Sequence, residues 1–186
     1  MINPLNRQLL ANGIRHECGH VIVATELGFA TGGILMDTRA GTWVVGAEID
    51  LPLSFETKDD VAEFIEKRIA VLYAGGLAES LENKKIQNEK AHRLFQSLDF
   101  KASTDFAKLR EISRIWVGLK YPKATPSSFA EHLKNLDSER YNKTVELVEM
   151  NASRIEDLTT FFMGEWEKAG RAFDVQAVSR KDRRLS

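Results

Sequence analysis

The chain has 186 residues, of which 43% are hydrophobic and 28% charged, with a formal net charge of −1. This composition is typical of one globular domain with its own core, and the near-neutral charge gives no electrostatic basis for nucleic acid as the main partner. The single cysteine excludes an internal disulfide. Because no apolar run is long enough for a membrane span or signal peptide, we expect a cytoplasmic protein.

The predicted elements begin with a helix from about Leu5 to Leu27, where apolar residues recur at helical spacing and Gly28 can end the helix. Two extended segments follow, residues 33–37 and 42–50, and the turn residues between them predict a β-hairpin. The sequence therefore starts with one helix and one small antiparallel sheet.

The rest of the chain is predicted to be helical. Thr57 can cap a helix whose apolar face includes Phe64 and Leu72, and the polar stretch 82–96 predicts a surface helix. Ser103 can cap a further helix with Asp105 in its first turn. Beyond Pro122 and Pro126, a long final helix is predicted over residues 137–170. The predicted fold class is mainly α with a small β-hairpin, in one domain over residues 1–178 followed by a basic, flexible tail over 179–186.

Residues 16–20 read His16-Glu17-Cys18-Gly19-His20, which is the H-E-x-x-H pattern. On a helix, two imidazoles four positions apart lie on one face and can reach a single zinc ion. Glu17 can then act as general base on a water at the open zinc position. A third ligand is needed, and spacing alone leaves an aspartate and four glutamates open: Glu63, Glu66, Glu79 and Glu89.

Four blocks of the sequence resemble, in the same order, the peptidase domain of the FtsH-type ATP-dependent zinc metalloproteases. The family's H-E-A-G-H is H-E-C-G-H at 16–20, and its G-Y-T-x-x-L-P is similar to G-A-E-I-D-L-P at 46–52. Its I-A-V-L-L-G-G-R-A-A-E-E-L is similar to I-A-V-L-Y-A-G-G-L-A-E-S-L at 69–81. Its T-G-A-S-N-D-L, followed by I-A-R, is similar to F-K-A-S-T-D-F at 100–106 with I-S-R at 112–114. The resemblance covers about residues 10–118.

This resemblance implies a zinc-dependent peptidase that hydrolyses unfolded or flexible polypeptides. It implies that Zn²⁺ is bound by His16, His20 and Asp105, with Glu17 as the catalytic base. It also implies that an edge strand, Gly46 to Leu51 in this chain, pairs with the substrate backbone.

Several features depart from the family. The chain has no G-x-x-x-x-G-K-[ST] motif, so we expect a stand-alone domain, with a separate ATPase and copies of itself as candidate partners. Gly76, Ser80 and Lys101 replace the family's residues, and residues 82–100 form an insertion. The alternative is a non-catalytic binding or regulatory module of the same fold.

Three other residues with reactive side chains are expected to be structural. His92, in the insertion, and His132 are expected to be exposed side chains rather than ligands. Cys18 is expected to turn away from the histidine face and to fill space in the core.

Overall fold

The computed structural model of the protein describes residues 4–39, 42–52, 54–96 and 101–169. It is mainly helical with a small two-stranded sheet, as the sequence predicts. The elements in chain order are α1 (Pro4–Glu26), β1 (Thr31–Arg39), β2 (Thr42–Ile49), α2 (Lys58–Glu79), β3 (Leu81–Glu82), β4 (Lys85–Ile86), α3 (Asn88–Gln96), α4 (Lys101–Lys120), α5 (Pro126–Met150) and α6 (Ala152–Ala169).

The first helix and the hairpin lie where the sequence predicts them. Helix α1 ends just before Gly28, whose φ of +84° is a conformation that L side chains rarely adopt. Strands β1 and β2 are antiparallel, with Ile34 opposite Ala47. Within the described residues β2 pairs only with β1, so its other edge is open in that part of the chain.

Helix α2 lies against α1 at the centre of the molecule. Its start is the predicted Thr57 cap, which forms a reciprocal capping box with Asp60. Small residues let the two helices approach closely, because a Cβ atom on Gly19 would lie 2.5 Å from the Ala78 Cβ and 2.6 Å from the Ala74 carbonyl oxygen. This close approach brings the motif helix next to α2.

The stretch 82–96 is only partly the predicted surface helix. Its first residues form a tight turn between β3 and β4, with Asn83 and Lys84 both at positive φ (51° and 62°). Two consecutive positive φ values are typical of a type I′ hairpin turn. The helix, α3, begins only at Asn88.

The predicted cap of α4 is wrong. The helix already includes Lys101, so Ser103 lies inside it, and Asp105 is in the second turn rather than the first. Lys101 and Ala102 are strong helix formers and extend the helix ahead of the serine.

The predicted single helix over 137–170 is also wrong, because two helices occupy this region. Helix α5 begins earlier, with Thr125 as its cap and Pro126 in its first turn, where a missing N–H costs nothing. Asn151 ends it, and the Asn151 side chain donates to the Leu147 carbonyl at 3.0 Å. Such side-chain bonds compete with the helical ladder, and α6 starts at the next residue.

The core is formed where α1 and α2 meet the hairpin and the later helices. Its largest fully buried apolar side chains are Ile14, Val23, Ile34, Ile69, Val71, Leu77, Leu109, Val117, Val148, Ile155 and Phe162. None of the helices in the described ranges has the length and apolar character needed to cross a membrane. The predicted tail, 179–186, and the predicted domain end at residue 178 lie outside the described residues.

Candidate metal centre

His16 and His20 of α1 meet Asp105 of α4 in the interior of the protein. All three residues are buried. The Asp105 Oδ2 atom lies 3.0 Å from His16 Nε2 and 3.0 Å from His20 Nε2, and the two Nε2 atoms are 3.1 Å apart. The structure therefore brings the two histidines of the motif together with the aspartate that the family resemblance singles out.

The other ring nitrogen of each histidine already has a hydrogen-bond acceptor. His20 Nδ1 lies 2.7 Å from the Val71 carbonyl oxygen, and His16 Nδ1 lies 3.3 Å from Glu79 Oε2. A carbonyl oxygen and the oxygen of an ionised carboxylate can only accept hydrogen bonds. Each Nδ1 therefore carries the hydrogen and donates it. In a neutral ring the Nε2 atom then has a lone pair. Two imidazole lone pairs and one carboxylate oxygen consequently face the same point.

Three donor atoms this close together need a shared cation between them. The distances between the donor atoms fit a metal ion. Neighbouring ligand atoms in a tetrahedral zinc site with bonds of about 2.0–2.1 Å are about 3.3 Å apart, close to the separations found here. Gly75 of α2 makes room for the rings, because a Cβ at this position would lie 2.5 Å from each Nε2 atom. His16, His20 and Asp105 are thus a group that could hold a metal.

The electrostatics of the group also favour positive charge. Burial alone would lower the pKa of His16, but hydrogen bonds to Asp105 and Glu79 outweigh it and raise the pKa to about 9. Burial likewise opposes ionisation of Asp105, yet its hydrogen-bonding contacts with the His16 and His20 rings hold the pKa of its carboxyl far below its ordinary value. A proton on His16 is therefore the competitor that a metal ion must displace.

Glu17, the second residue of the motif, lies between the histidines and the hairpin. It is buried, and its Oε2 atom accepts a hydrogen bond of 2.8 Å from the Ala47 amide. This bond orients the carboxylate beside the three converging donors and ties it to the open edge of β2. The geometry suits a group that exchanges protons with a molecule bound at this edge.

A cavity of about 360 Å³ gives access to these side chains. One wall is the hairpin edge and the following residues, and the other is formed by α2 and α4. Its lining residues are His16, Glu17, His20, Val45, Gly46, Ala47, Ile49, Leu51, Arg68, Leu72, Thr104, Asp105 and Lys108.

The other carboxylates that spacing left open do not join the three donors. Glu63 is exposed and pairs with Lys67 at 2.8 Å, and Glu66 pairs with Arg140 at 2.6 Å. Glu89 is an exposed residue of α3. Glu79 contacts the far nitrogen of His16 instead, a position that sequence spacing did not suggest for it.

The side chains expected to be structural are accounted for among the described residues. His92 is exposed on α3, as predicted. His132 is half-buried rather than exposed, because its ring stacks on Tyr121 with centroids 3.7 Å apart. Cys18 is fully buried, in agreement with its predicted core position.

No protein-family model matches this chain, and a search of curated proteins also finds no match. The geometry of the metal centre and the sequence motifs are therefore the basis for assigning a function.

Sequence reasoning missed two features of the site, the supporting role of Glu79 and the presence of Arg68. A signal for both existed in the spacing of α2. Arg68, Leu72, Gly75 and Glu79 follow one another at intervals of four, three and four residues, which is one face of a helix. Each of the four contacts or lines the site.

Proposed function

We propose that the protein is a metallohydrolase whose ion is held by His16, His20 and Asp105. The observation that carries this proposal is the convergence of two imidazole Nε2 atoms and a carboxylate oxygen, with a second carboxylate, Glu17, beside them. More specifically, we propose a zinc-dependent endopeptidase similar to the FtsH-type peptidases. The four sequence blocks, which include all four of these residues, support that narrower assignment.

In the proposed hydrolysis, the metal ligands, the base and the groups that orient the imidazoles have separate roles. A zinc ion bound by the three donors would supply Lewis-acid chemistry, by polarising a substrate carbonyl and acidifying a water. Glu17 takes a proton from the water as its oxygen attacks the carbonyl carbon. Glu17 then returns this proton to the amine nitrogen as the C–N bond breaks. Glu79 and the Val71 carbonyl keep the imidazoles oriented throughout.

The open edge of β2 supports a polypeptide as the substrate. The Ala47 amide points away from β1, since it donates to Glu17. In an antiparallel pair, outward-facing backbone groups recur at every second residue, so the backbone groups of Ile49 face the same way as those of Ala47. Both residues line the cavity. An extended segment can therefore add to this edge through main-chain bonds, which need a flexible or unfolded substrate.

The substitution Glu17→Gln tests the mechanism. It removes the base but leaves the three metal donors, so we expect one bound zinc per chain as in the wild type. Hydrolysis of an unstructured polypeptide should fall by about a hundredfold to ten-thousandfold. Metal content by mass spectrometry and cleavage of a labelled, unfolded protein are the measurements. Glu63→Gln, at an exposed residue outside the cavity, is the matched control and should keep full activity.

Two results would contradict the proposal. Cleavage by Glu17→Gln at the wild-type rate would exclude Glu17 as the base. Zinc binding without any hydrolysis by the wild type, alone or with an added ATPase partner, would favour the binding or regulatory module. Analytical ultracentrifugation of the zinc-loaded protein tests the homo-oligomer that the family resemblance implies.

A further inference from the structure

Arg68 is a charged residue of the cavity to which neither the motif nor the mechanism gives a role. It lies on the α2 face that carries Leu72, Gly75 and Glu79, and it lines the cavity with Glu17 and the metal donors. The residue is half-buried. Its guanidinium is therefore available to whatever occupies the cavity.

Within the described part of the chain, the Arg68 side chain has no hydrogen-bond or ion-pair partner. Other arginines of the protein do have partners, such as Arg7 with Glu167 at 2.7 Å and Arg140 with Glu66 at 2.6 Å. Burial lowers the pKa of the Arg68 guanidinium, and the charge of Asp105 partly offsets this. A partly desolvated guanidinium with five donors is well suited to bind an acidic group that enters the cavity.

The charges that line the cavity favour an anion as that group. Two carboxylates, Glu17 and Asp105, are balanced by two cations, Arg68 and Lys108. Lys108 is itself 3.5 Å from Asp105. A divalent ion on the three donors adds two positive charges, so the loaded cavity is cationic. Negatively charged groups of the substrate would then be attracted to the cavity.

We propose that Arg68 binds a carboxylate of the substrate polypeptide, so that the enzyme prefers acidic substrates. The planar guanidinium matches a carboxylate through two parallel hydrogen bonds. The carboxylate belongs either to an Asp or Glu side chain or to the C-terminus of the substrate. This inference rests on the proposed peptidase function, but it concerns binding and can be tested without turnover.

Four fluorescent peptides of one unstructured sequence separate the two sources of carboxylate. They carry either Asp and Glu or Asn and Gln, each with a free or an amidated C-terminus. Their affinities are measured by anisotropy on the zinc-loaded Glu17→Gln protein, which holds substrate without cleaving it. The measurements are repeated after adding Arg68→Gln or Arg68→Lys. Lys67→Gln is the matched control, because it removes a charge from the next residue, which pairs with Glu63 and does not line the cavity.

We expect the acidic or free-acid peptide to bind about tenfold to a hundredfold more tightly than its neutral counterpart, the range of a charge-assisted hydrogen bond. Arg68→Gln should abolish this preference, Arg68→Lys should keep part of it, and Lys67→Gln should leave it intact. The difference in affinity between acidic and neutral peptides is first measured with Arg68 present. This measurement is therefore informative even if Arg68→Gln fails to fold.

An equal loss of affinity for all four peptides in Arg68→Gln would overturn the inference, because it would indicate a structural role. Equal binding of the four peptides while Arg68 is present, or no binding at all, would overturn it as well. If the preference depends on Arg68 but the wild type cleaves none of the peptides, the binding inference stands and the proposed hydrolysis fails.

Discussion

Gly75 is the residue of α2 that comes closest to the two ligating nitrogens. A methyl group here would lie 2.5 Å from both Nε2 atoms, which is well inside van der Waals contact. The rings cannot simply turn aside, since their Nδ1 atoms are bonded to the Val71 carbonyl and to Glu79. The glycine thus keeps space for the donors at the centre of the site.

We therefore expect Gly75→Ala to weaken zinc binding by more than tenfold, because the two Nε2 atoms would no longer point at one ion position. Competition with a chelator of known affinity measures the change, and circular dichroism checks the helical content. Gly118→Ala is the control, because a Cβ on this helical glycine meets nothing within 4 Å. That change should be neutral or stabilising by up to about 1 kcal/mol. Zinc affinity equal to the wild type in Gly75→Ala would contradict this account of the glycine.

The packing of α1 against α2 determines the geometry of the site. Helix α1 supplies both histidines and Glu17, while α2 supplies the Val71 carbonyl, Gly75 and Glu79. The two helices touch through Gly19, where a Cβ would clash with Ala78 and with the Ala74 carbonyl. Their separation is therefore set by the absence of a side chain at this position.

We expect Gly19→Ala to destabilise the protein by about 1–3 kcal/mol, because overpacking against backbone outweighs the gain of about 1 kcal/mol in helix propensity. Thermal unfolding of the metal-free protein measures this, as a decrease of about 2–4 °C for each kcal/mol. Gly118→Ala again serves as the control. An unchanged or increased melting temperature for Gly19→Ala would show that the helices can move apart freely.

The sequence predicts some elements well and others poorly, for physical reasons. The Thr57 capping box and the end of α1 at Gly28 were predictable because each depends on backbone groups within a few residues. The break at Asn151 was not, since an asparagine in an amphipathic run does not reveal whether its side chain will bond the Leu147 carbonyl. The predicted helix start at Ser103 was wrong for a different reason. Serine is a common capping residue, but Ser103 lies inside a helix that already includes Lys101.

At the scale of the whole molecule, proton and metal binding are linked to folding. The pKa of His16 is about 9 in the folded, metal-free protein, above the ordinary value of 6.5 that the unfolded chain has. The protonated ring therefore contributes stability that is fully present below about pH 6.5 and is lost as the pH rises through about 9. A metal ion has to displace that same proton.

We expect the apparent zinc affinity to rise about tenfold per pH unit until the pH reaches about 9. The difference in melting temperature between zinc-loaded and metal-free protein should grow over the same range. Chelator competition and thermal unfolding at several pH values measure the two trends. The exposed His92 offers a control, as His92→Gln should leave both unchanged. A zinc affinity that is independent of pH would mean that no proton is displaced from His16.

Local sequence specifies the parts of this protein that depend on neighbouring residues. The four-residue spacing of His16 and His20 places both rings on one helical face, and local capping and turn residues define most of the early elements. Spacing left open which carboxylate faces the two Nε2 atoms, and only the family resemblance pointed to Asp105. The folded chain shows that Asp105 takes this place, that Glu79 lies at the far nitrogen of His16, and that Arg68 lines the same cavity. Asp105 is 89 residues from His16, and such distances are closed by the packing of α1, α2 and α4, which no local spacing encodes.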